Sequence, residues 1–305
     1  MPDSLLPTVT GPEDYRPWLG RGDVWLPVMQ GLCRRHGLPE GALRQIAGGS
    51  AICFVAGKAV IKLQPPFWSE KLGLEQLGLE RAQGRLSVRT PEVLASDRVE
   101  GWGYLILGRL PGVAITELER DLALNEQLAL ALQLGELMCE LQGLDPEGLP
   151  REQPEALAGQ PRSFFETQLG LGMPAARVEP FAGLLAAALP SLPAAPEAVF
   201  VHGDLSPENL LLETVNGRLR IGGLLDFGNL LAGCGLYEFA APLAMICPYR
   251  PGLRRALIQG YGRPVSEAQL LAVLLHRFSH LPYLLKMLKP PVTPEAFREC
   301  FCSLG

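Results

Sequence analysis

The sequence predicts an α+β protein of two lobes: a small β-rich N-terminal lobe and a larger, mainly helical C-terminal lobe, with a cleft between them. Three observations carry this. The β-rich runs gather before residue 110. Leu110-Pro111-Gly112 then punctuates the chain. Beyond it helical periodicity dominates, interrupted by one pair of short strands around Asn216-Gly217. The expected boundaries are 1–107 for the first lobe, 108–112 for a hinge and 113–305 for the second.

The elements follow in order. VWLPVMQGLCRRH (24–36) reads as a short amphipathic helix. AICFVA (51–56) and AVIKL (59–63) are strand-like, and Gly57-Lys58 between them is a hairpin turn. Residues 68–86 return to helical spacing, with leucines at 72, 74, 77, 79 and 86. Residues 91–95 and 103–107 again read as strands. Asp121 is a candidate cap for a long helix running to about Leu144. Residues 145–162, rich in Pro and Gly, are expected to be a loop. Residues 164–189 are expected to be helical with a break near Gly172 and Pro174. Short strands are expected at 199–202, 209–212 and 218–225, and interrupted helix from 236 onward.

Composition narrows the classes. The chain has 305 residues, 48% hydrophobic and 19% charged, as folded proteins do. Its net charge of −5 disfavours a nucleic-acid partner. Apolar runs such as 184–189 fall far short of the roughly 18–20 residues that span a bilayer, and the start resembles no signal peptide. A cytoplasmic protein without a membrane partner, monomeric or homodimeric, is expected. The seven cysteines are scattered and show no zinc spacing with the four histidines, which suits free thiols in a reducing compartment. Cys300 and Cys302 stand closest together and are the pair with any redox potential.

The segment HGDLSPENLLL (202–212) carries the chemistry. Asp204 and Asn209 lie five positions apart on a turn containing Pro207, just before an apolar strand. Asp226 follows the next strand in LLDFG (224–228). The Asn216-Gly217 turn makes the two strands a hairpin, so both its ends open on one side and bring the three residues together. Magnesium prefers hard oxygen ligands such as a carboxylate and an amide oxygen, which suits Asn209 and Asp226. A carboxylate that accepts the proton of an attacking hydroxyl suits Asp204. Each residue alone is an ordinary turn residue; the set points to phosphoryl transfer.

HGD-x4-N followed by a strand and DFG resembles the aminoglycoside phosphotransferase family, which is related to choline kinases and shares the protein-kinase fold. HGD in place of HRD points to the small-molecule branch. The resemblance implies a bilobal protein-kinase-like fold and an enzyme that moves the γ-phosphate of ATP, or of GTP, to a hydroxyl of a small molecule with Mg2+. It implies a phosphate-covering loop at Gly48-Gly49-Ser50, with Ser50 against the nucleotide. Lys62 is expected on the α- and β-phosphates. Its acidic partner is expected to be Glu80, with Glu75 as the fallback. The hinge backbone of Leu107, Gly108, Arg109 and Leu110 is expected at the adenine edge, and Leu211 and Leu225 under the base. Gln142 stands where the family usually has histidine, which implies a weaker structural hydrogen bond. Glu238 stands where the family has an aspartate that braces the catalytic loop. His202 is expected to fix that loop rather than to react.

The acceptor is less legible. An aminoglycoside-type antibiotic or a related sugar or amino alcohol is the first expectation. Residues 113–198 are acid-rich and 231–305 carry more basic residues, however, and such a mixed lining does not obviously suit a polycation. His276, Arg277, His280 and Tyr283 fall within two helical turns and are candidates for a neutral sugar or an anionic group. Two alternatives remain: a protein Ser/Thr kinase, disfavoured by HGD and by the lack of an A-P-E-like segment, and a catalytically silent nucleotide-binding scaffold, disfavoured by the retained polar set.

Overall fold

The computed structural model describes residues 5–118, 122–151, 156–193, 196–278 and 280–305. The chain divides into two compact units, residues 1–84 with 89–111 and residues 85–88 with 112–305.

In the first unit, α1 (Pro12–Tyr15) and α2 (Gly22–His36) precede β1 (Arg44–Ile46), β2 (Ile52–Ala56) and β3 (Ala59–Gln64). Helix α3 (Ser69–Ala82) then leads to β4 (Val93–Val99) and β5 (Trp102–Gly108). The sheet is antiparallel, in the order β1-β2-β3-β5-β4. Gly57, at φ 64°, closes the β2–β3 turn. Side chains alternate across β3, so Ile61 and Leu63 enter one core. They join Trp25, Met29, Phe54, Trp102 and Tyr104 there. Lys62, between them, faces the other way.

The second unit begins with β6 (Val113–Ala114) and α4 (Ile115–Leu118). Helices α5 (Leu124–Gln142), α6 (Ala156–Gly170) and α7 (Ala175–Ala188) follow. Four strands come next, β7 (Val199–Val201), β8 (Leu210–Val215), β9 (Arg218–Leu224) and β10 (Leu231–Gly233). The chain closes with α8 (Ala240–Met245), α9 (Pro251–Tyr261), α10 (Glu267–Arg277), α11 (Leu281–Lys286) and α12 (Pro294–Phe301). Helix α5 buries Leu130, Leu134, Leu137, Met138 and Leu141, a stripe of helical period. It meets α9 backbone to backbone: a methyl at Gly135 would run into the Leu257 carbonyl and Tyr261 amide, and one at Gly260 into the Leu132 carbonyl.

Some local expectations need correction. The region expected as loop at 145–162 already contains the start of α6. The proposed cap Asp121 lies outside the described residues. Helix α5 starts instead after Ala123, whose N–H donates to the Glu126 carboxylate at 2.9 Å. Gln142, expected to weaken a tie, makes two: its amide donates to the Gly235 carbonyl at 3.1 Å and accepts from the Tyr261 hydroxyl at 3.2 Å. Cys300 and Cys302 are fully buried, and burial pushes the Cys302 thiol up to about 12, so it stays protonated and unreactive. Among the described residues no helix is long and apolar enough to cross a membrane.

Candidate active site

Two short antiparallel pairs assemble the polar set. Strand β8 pairs with β9 through the Asn216-Gly217 turn, with Leu210 opposite Leu224. Both turn residues have positive φ, 51° and 75°, the geometry that Asn-Gly supplies at least cost. Strand β7 pairs with β10, with Val201 opposite Leu231. The chain leaves β7 into residues 202–209 and leaves β9 into residues 225–230, so the two loops share one end of the four strands. The side-chain amide of Gln133 on α5 anchors the hairpin, exchanging bonds of 3.0 and 2.8 Å with the backbone of Ile221.

The loops are tied to each other atom by atom. Asn209 gives its side-chain N–H to the Asp204 carbonyl at 3.0 Å, which turns its amide oxygen away from that bond. The Asn209 carbonyl accepts the Leu225 N–H at 2.9 Å. His202 is fully buried, with Phe227 edge-on at 4.7 Å. Its Nδ1 accepts the Asp204 N–H at 3.3 Å and its Nε2 lies 3.1 Å from the Leu225 carbonyl. Those partners define a neutral imidazole protonated on Nε2, occupied on both nitrogens by structural bonds. Asn229, a residue the sequence reading did not single out, directs its Nδ2 at Asp204 Oδ2 from 3.4 Å. Its position three residues after Asp226 on the same loop was the available signal.

Two backbone features mark these loops. Gly203 has φ 78°, and a Cβ there would lie 2.6 Å from the Asn229 carbonyl, so only glycine fits between the loops. Asp226 has φ 58°, unusual for a residue with a side chain. Such strain persists where the surrounding structure holds it, as at functional sites. Its Oδ1 accepts the Gly228 N–H at 3.2 Å. Asn209 Oδ1 and the Asp226 carboxylate are hard oxygens, the donor type that magnesium prefers.

Glu238 lies beneath the loop, 1% exposed. Its carboxylate accepts the backbone N–H groups of His202 and of Gly203, the latter at 3.3 Å. Burial dominates these bonds and pushes its pKa up to about 7 from an ordinary 4.5; the nearby Arg277 charge acts in the opposite direction. The folded value lies above the unfolded one, so this group's contribution is fully present below about pH 4.5 and is lost as pH rises through 7. Thermal midpoints are therefore expected to fall between pH 5 and 8 more steeply for the native chain than for Glu238→Gln. Equal slopes in the two melting series would contradict this assignment.

In the first unit Lys62 Nζ meets Glu75 Oε2 at 2.6 Å, with both side chains buried. The expected partner, Glu80, is a misassignment. Helix α3 buries Leu72, Glu75, Leu79 and Ala82, one stripe at three- and four-residue steps. Glu80 is one residue, about 100°, off that stripe; it is exposed and accepts from Gln76 at 2.9 Å. Breaking a buried ion pair from one side typically costs about 3–5 kcal/mol. Glu75→Gln is thus expected to lower stability severely, and Glu80→Gln to stay within about 0.5 kcal/mol of the native chain. Chemical denaturation of the two variants checks this ordering.

The remaining predicted residues are placed as follows. Gly48 and Gly49 have φ 87° and 77°, and Ser50 follows them at the exposed entry to β2. In the hinge, Gly108 and Arg109 already give their N–H groups to the carbonyls of Glu92 and Lys58, at 2.8 and 2.9 Å. Of the hinge amides expected at an adenine edge, these two are therefore already spent on the backbone. Leu211 and Leu225 are half-buried beside Asn209. Arg277 sits over the Tyr237 ring at 5.0 Å and His276 packs against the same ring at 5.3 Å. His280 caps α11 through its Nδ1, and Tyr283 stacks on Phe278.

Comparison with known proteins decides the family. Residues 44–273 match the model of the "Phosphotransferase enzyme family". The chain belongs to the phosphotransferase enzyme family. The matched segment contains Ser50, Lys62, Glu75 and the whole Asp204–Asp226 assembly of this phosphotransferase. A relative, viomycin phosphotransferase of Streptomyces vinaceus, is 32% identical over 213 residues, 66% of this chain and 70% of that one. Solved structures share the fold. The GDP complex of aminoglycoside 2'-phosphotransferase-IIIa superposes with a TM-score of 0.69 at 17% identity, over 83% of this chain and 88% of that one. The macrolide 2'-phosphotransferase of Brachybacterium faecium gives 0.57 at 20% identity, over 83% and 88%. This phosphotransferase is accordingly a small-molecule kinase of kinase-like α+β architecture.

Proposed function

We propose that this phosphotransferase moves the γ-phosphate of ATP to a hydroxyl of a small molecule, an antibiotic or a related sugar or amino alcohol. The observation that carries the reading is the pair of bonds that ties Asn209 to Asp204 on one side and to Leu225, the neighbour of Asp226, on the other. Asn209 spends its N–H on the Asp204 backbone, and His202 is locked as a neutral brace. Asp204 is thereby the carboxylate left for a hydroxyl. It accepts the hydroxyl proton as the acceptor oxygen forms its bond to γ-phosphorus and the bond from γ-phosphorus to the bridging oxygen breaks, releasing ADP. Asn209 Oδ1 and the Asp226 carboxylate would hold Mg2+, which supplies charge neutralisation on the phosphate oxygens. Lys62, oriented by Glu75, is assigned to the α- and β-phosphates, residues 48–50 to covering them, Leu110 to the adenine edge, and Leu211 and Leu225 to its face.

The relatives act, by their names, on viomycin, aminoglycosides and a macrolide. Arg277, exposed beside Tyr237 and Glu238, puts positive charge near the Asp204 loop. That weighs against a densely cationic acceptor and keeps neutral sugars and macrolides in view. A coupled assay of ADP release tests the reading, run with viomycin, aminoglycosides, macrolides and amino alcohols, each with ATP or GTP. Acceptor-dependent turnover is expected. Efficient labelling of generic protein substrates, with none of any small hydroxyl compound, would sink it.

A further inference from the structure

The segment before residue 44 lies outside the family match, yet it reaches the glycine loop. Tyr15 ends α1 and is 1% exposed. Its ring is gripped by Phe67, Trp68 and Trp102, with centroids 6.0, 5.7 and 5.8 Å away. Trp102 is itself packed on Trp25 at 5.3 Å. From this aromatic cluster the Tyr15 hydroxyl donates to the Ser50 carbonyl at 3.0 Å. Burial pushes the phenol up, so the hydroxyl stays a donor at any working pH. A second tie holds the same segment to β1, from Gln45 Nε2 to the Leu19 carbonyl at 2.7 Å.

The bond has a directional consequence. In a planar trans peptide the C=O and the following N–H point opposite ways. A carbonyl captured by Tyr15 therefore fixes the Ala51 N–H on the opposite side of that peptide. Among the described residues, the N–H groups of Gly48, Gly49, Ser50 and Ala51 donate to no backbone partner outside the helices and strands. Successive unspent N–H groups in a left-handed glycine turn are suited to phosphate oxygens. A loop with two glycines would otherwise sample many orientations, and ordering it on binding costs affinity.

We propose that Tyr15 is a positioning residue for nucleotide binding, holding the Ser50 peptide so that the loop amides meet the phosphates already oriented. This rests on the reading of residues 48–50 as the phosphate-covering loop. Tyr15→Phe keeps the ring and its packing and removes only the hydroxyl.

The test is displacement of a fluorescent ATP analogue from the full-length chain, with magnesium, by ATP, ADP and adenosine, together with thermal melting. Tyr15→Phe is expected to weaken ATP and ADP by about five-fold, while adenosine affinity stays unchanged and the melting midpoint falls by no more than the roughly 2–4 °C that one lost hydrogen bond costs. Lys62→Ala serves as the reference for phosphate contact. Weaker ATP binding in Lys62→Ala with none in Tyr15→Phe would overturn the role of Tyr15 and leave the nucleotide reading standing. An equal loss for adenosine, or a midpoint lowered well beyond the cost of one hydrogen bond, would make Tyr15 a scaffold residue and overturn the proposal. A native chain that binds no nucleoside triphosphate would overturn both.

Discussion

Replacing Asp204 with alanine is expected to lower kcat by roughly 10²–10⁴-fold, the usual contribution of a positioned general base, with nucleotide affinity nearly unchanged. The split between kcat and affinity follows from how the residue is used. The Asp204 backbone carries the structural load: its carbonyl holds Asn209 and its N–H meets His202. Its side chain receives only a long bond from Asn229 among the described residues, at 3.4 Å. Alanine keeps the backbone bonds and deletes only the carboxylate, so the loop and the Asn209 oxygen stay in place. Asp204→Asn provides the sharper comparison, since it preserves shape and cannot take a proton. Steady-state rates with the best acceptor and nucleotide titrations of the same samples read the two effects separately. Activity within ten-fold of the native chain would remove Asp204 from the acceptor hydroxyl.

Asp226→Ala is expected to abolish the magnesium dependence of nucleotide binding. Here the backbone matters as well as the carboxylate, because residue 226 adopts φ 58°. Alanine is poorly suited to that conformation, whereas asparagine tolerates it. Asp226→Asn therefore isolates the lost charge, and Asp226→Ala adds a backbone penalty of order 1 kcal/mol. Nucleotide titration with and without magnesium distinguishes them. Both variants should bind equally with or without the metal, and the alanine variant alone should also melt lower. Retention of tighter binding with magnesium in both would refute the assignment of Asp226.

The sequence made the polar set legible because its residues sit at fixed offsets around a turn that dictates its own geometry. Asn216-Gly217 specifies the hairpin, and the hairpin brings residues 209 and 225 within one backbone bond. Strands β1, β6 and β10 were not legible. They have two or three residues each, too few for a two-residue period to show. The Lys62 partner was misread for a different reason. The leucines at 74 and 77 blur the helical stripe, and only the burial of Leu72, Leu79 and Ala82 shows that Glu75 faces inward. Helix α6 was shortened because prolines and glycines around residue 150 look like loop, and Pro161 lies inside the helix. Tyr15 had no signal at all, since a lone tyrosine thirty-five residues before Ser50 announces nothing until the chain is folded.

The crossing of α5 and α9 bears on motion. Where helices meet through long side chains, rotamer changes let one slide on the other in roughly microseconds to milliseconds. At Gly135 and Gly260 there are no side chains to rearrange, and carbonyls and amides lie directly against the partner backbone. The two helices can separate or stay, but they have no intermediate shear. Their amides should then exchange with solvent in one cooperative opening, as a single foldon. Gln133 of α5 holds the β8–β9 hairpin, and with it the strand ends next to Asn209 and Asp226, on that same body.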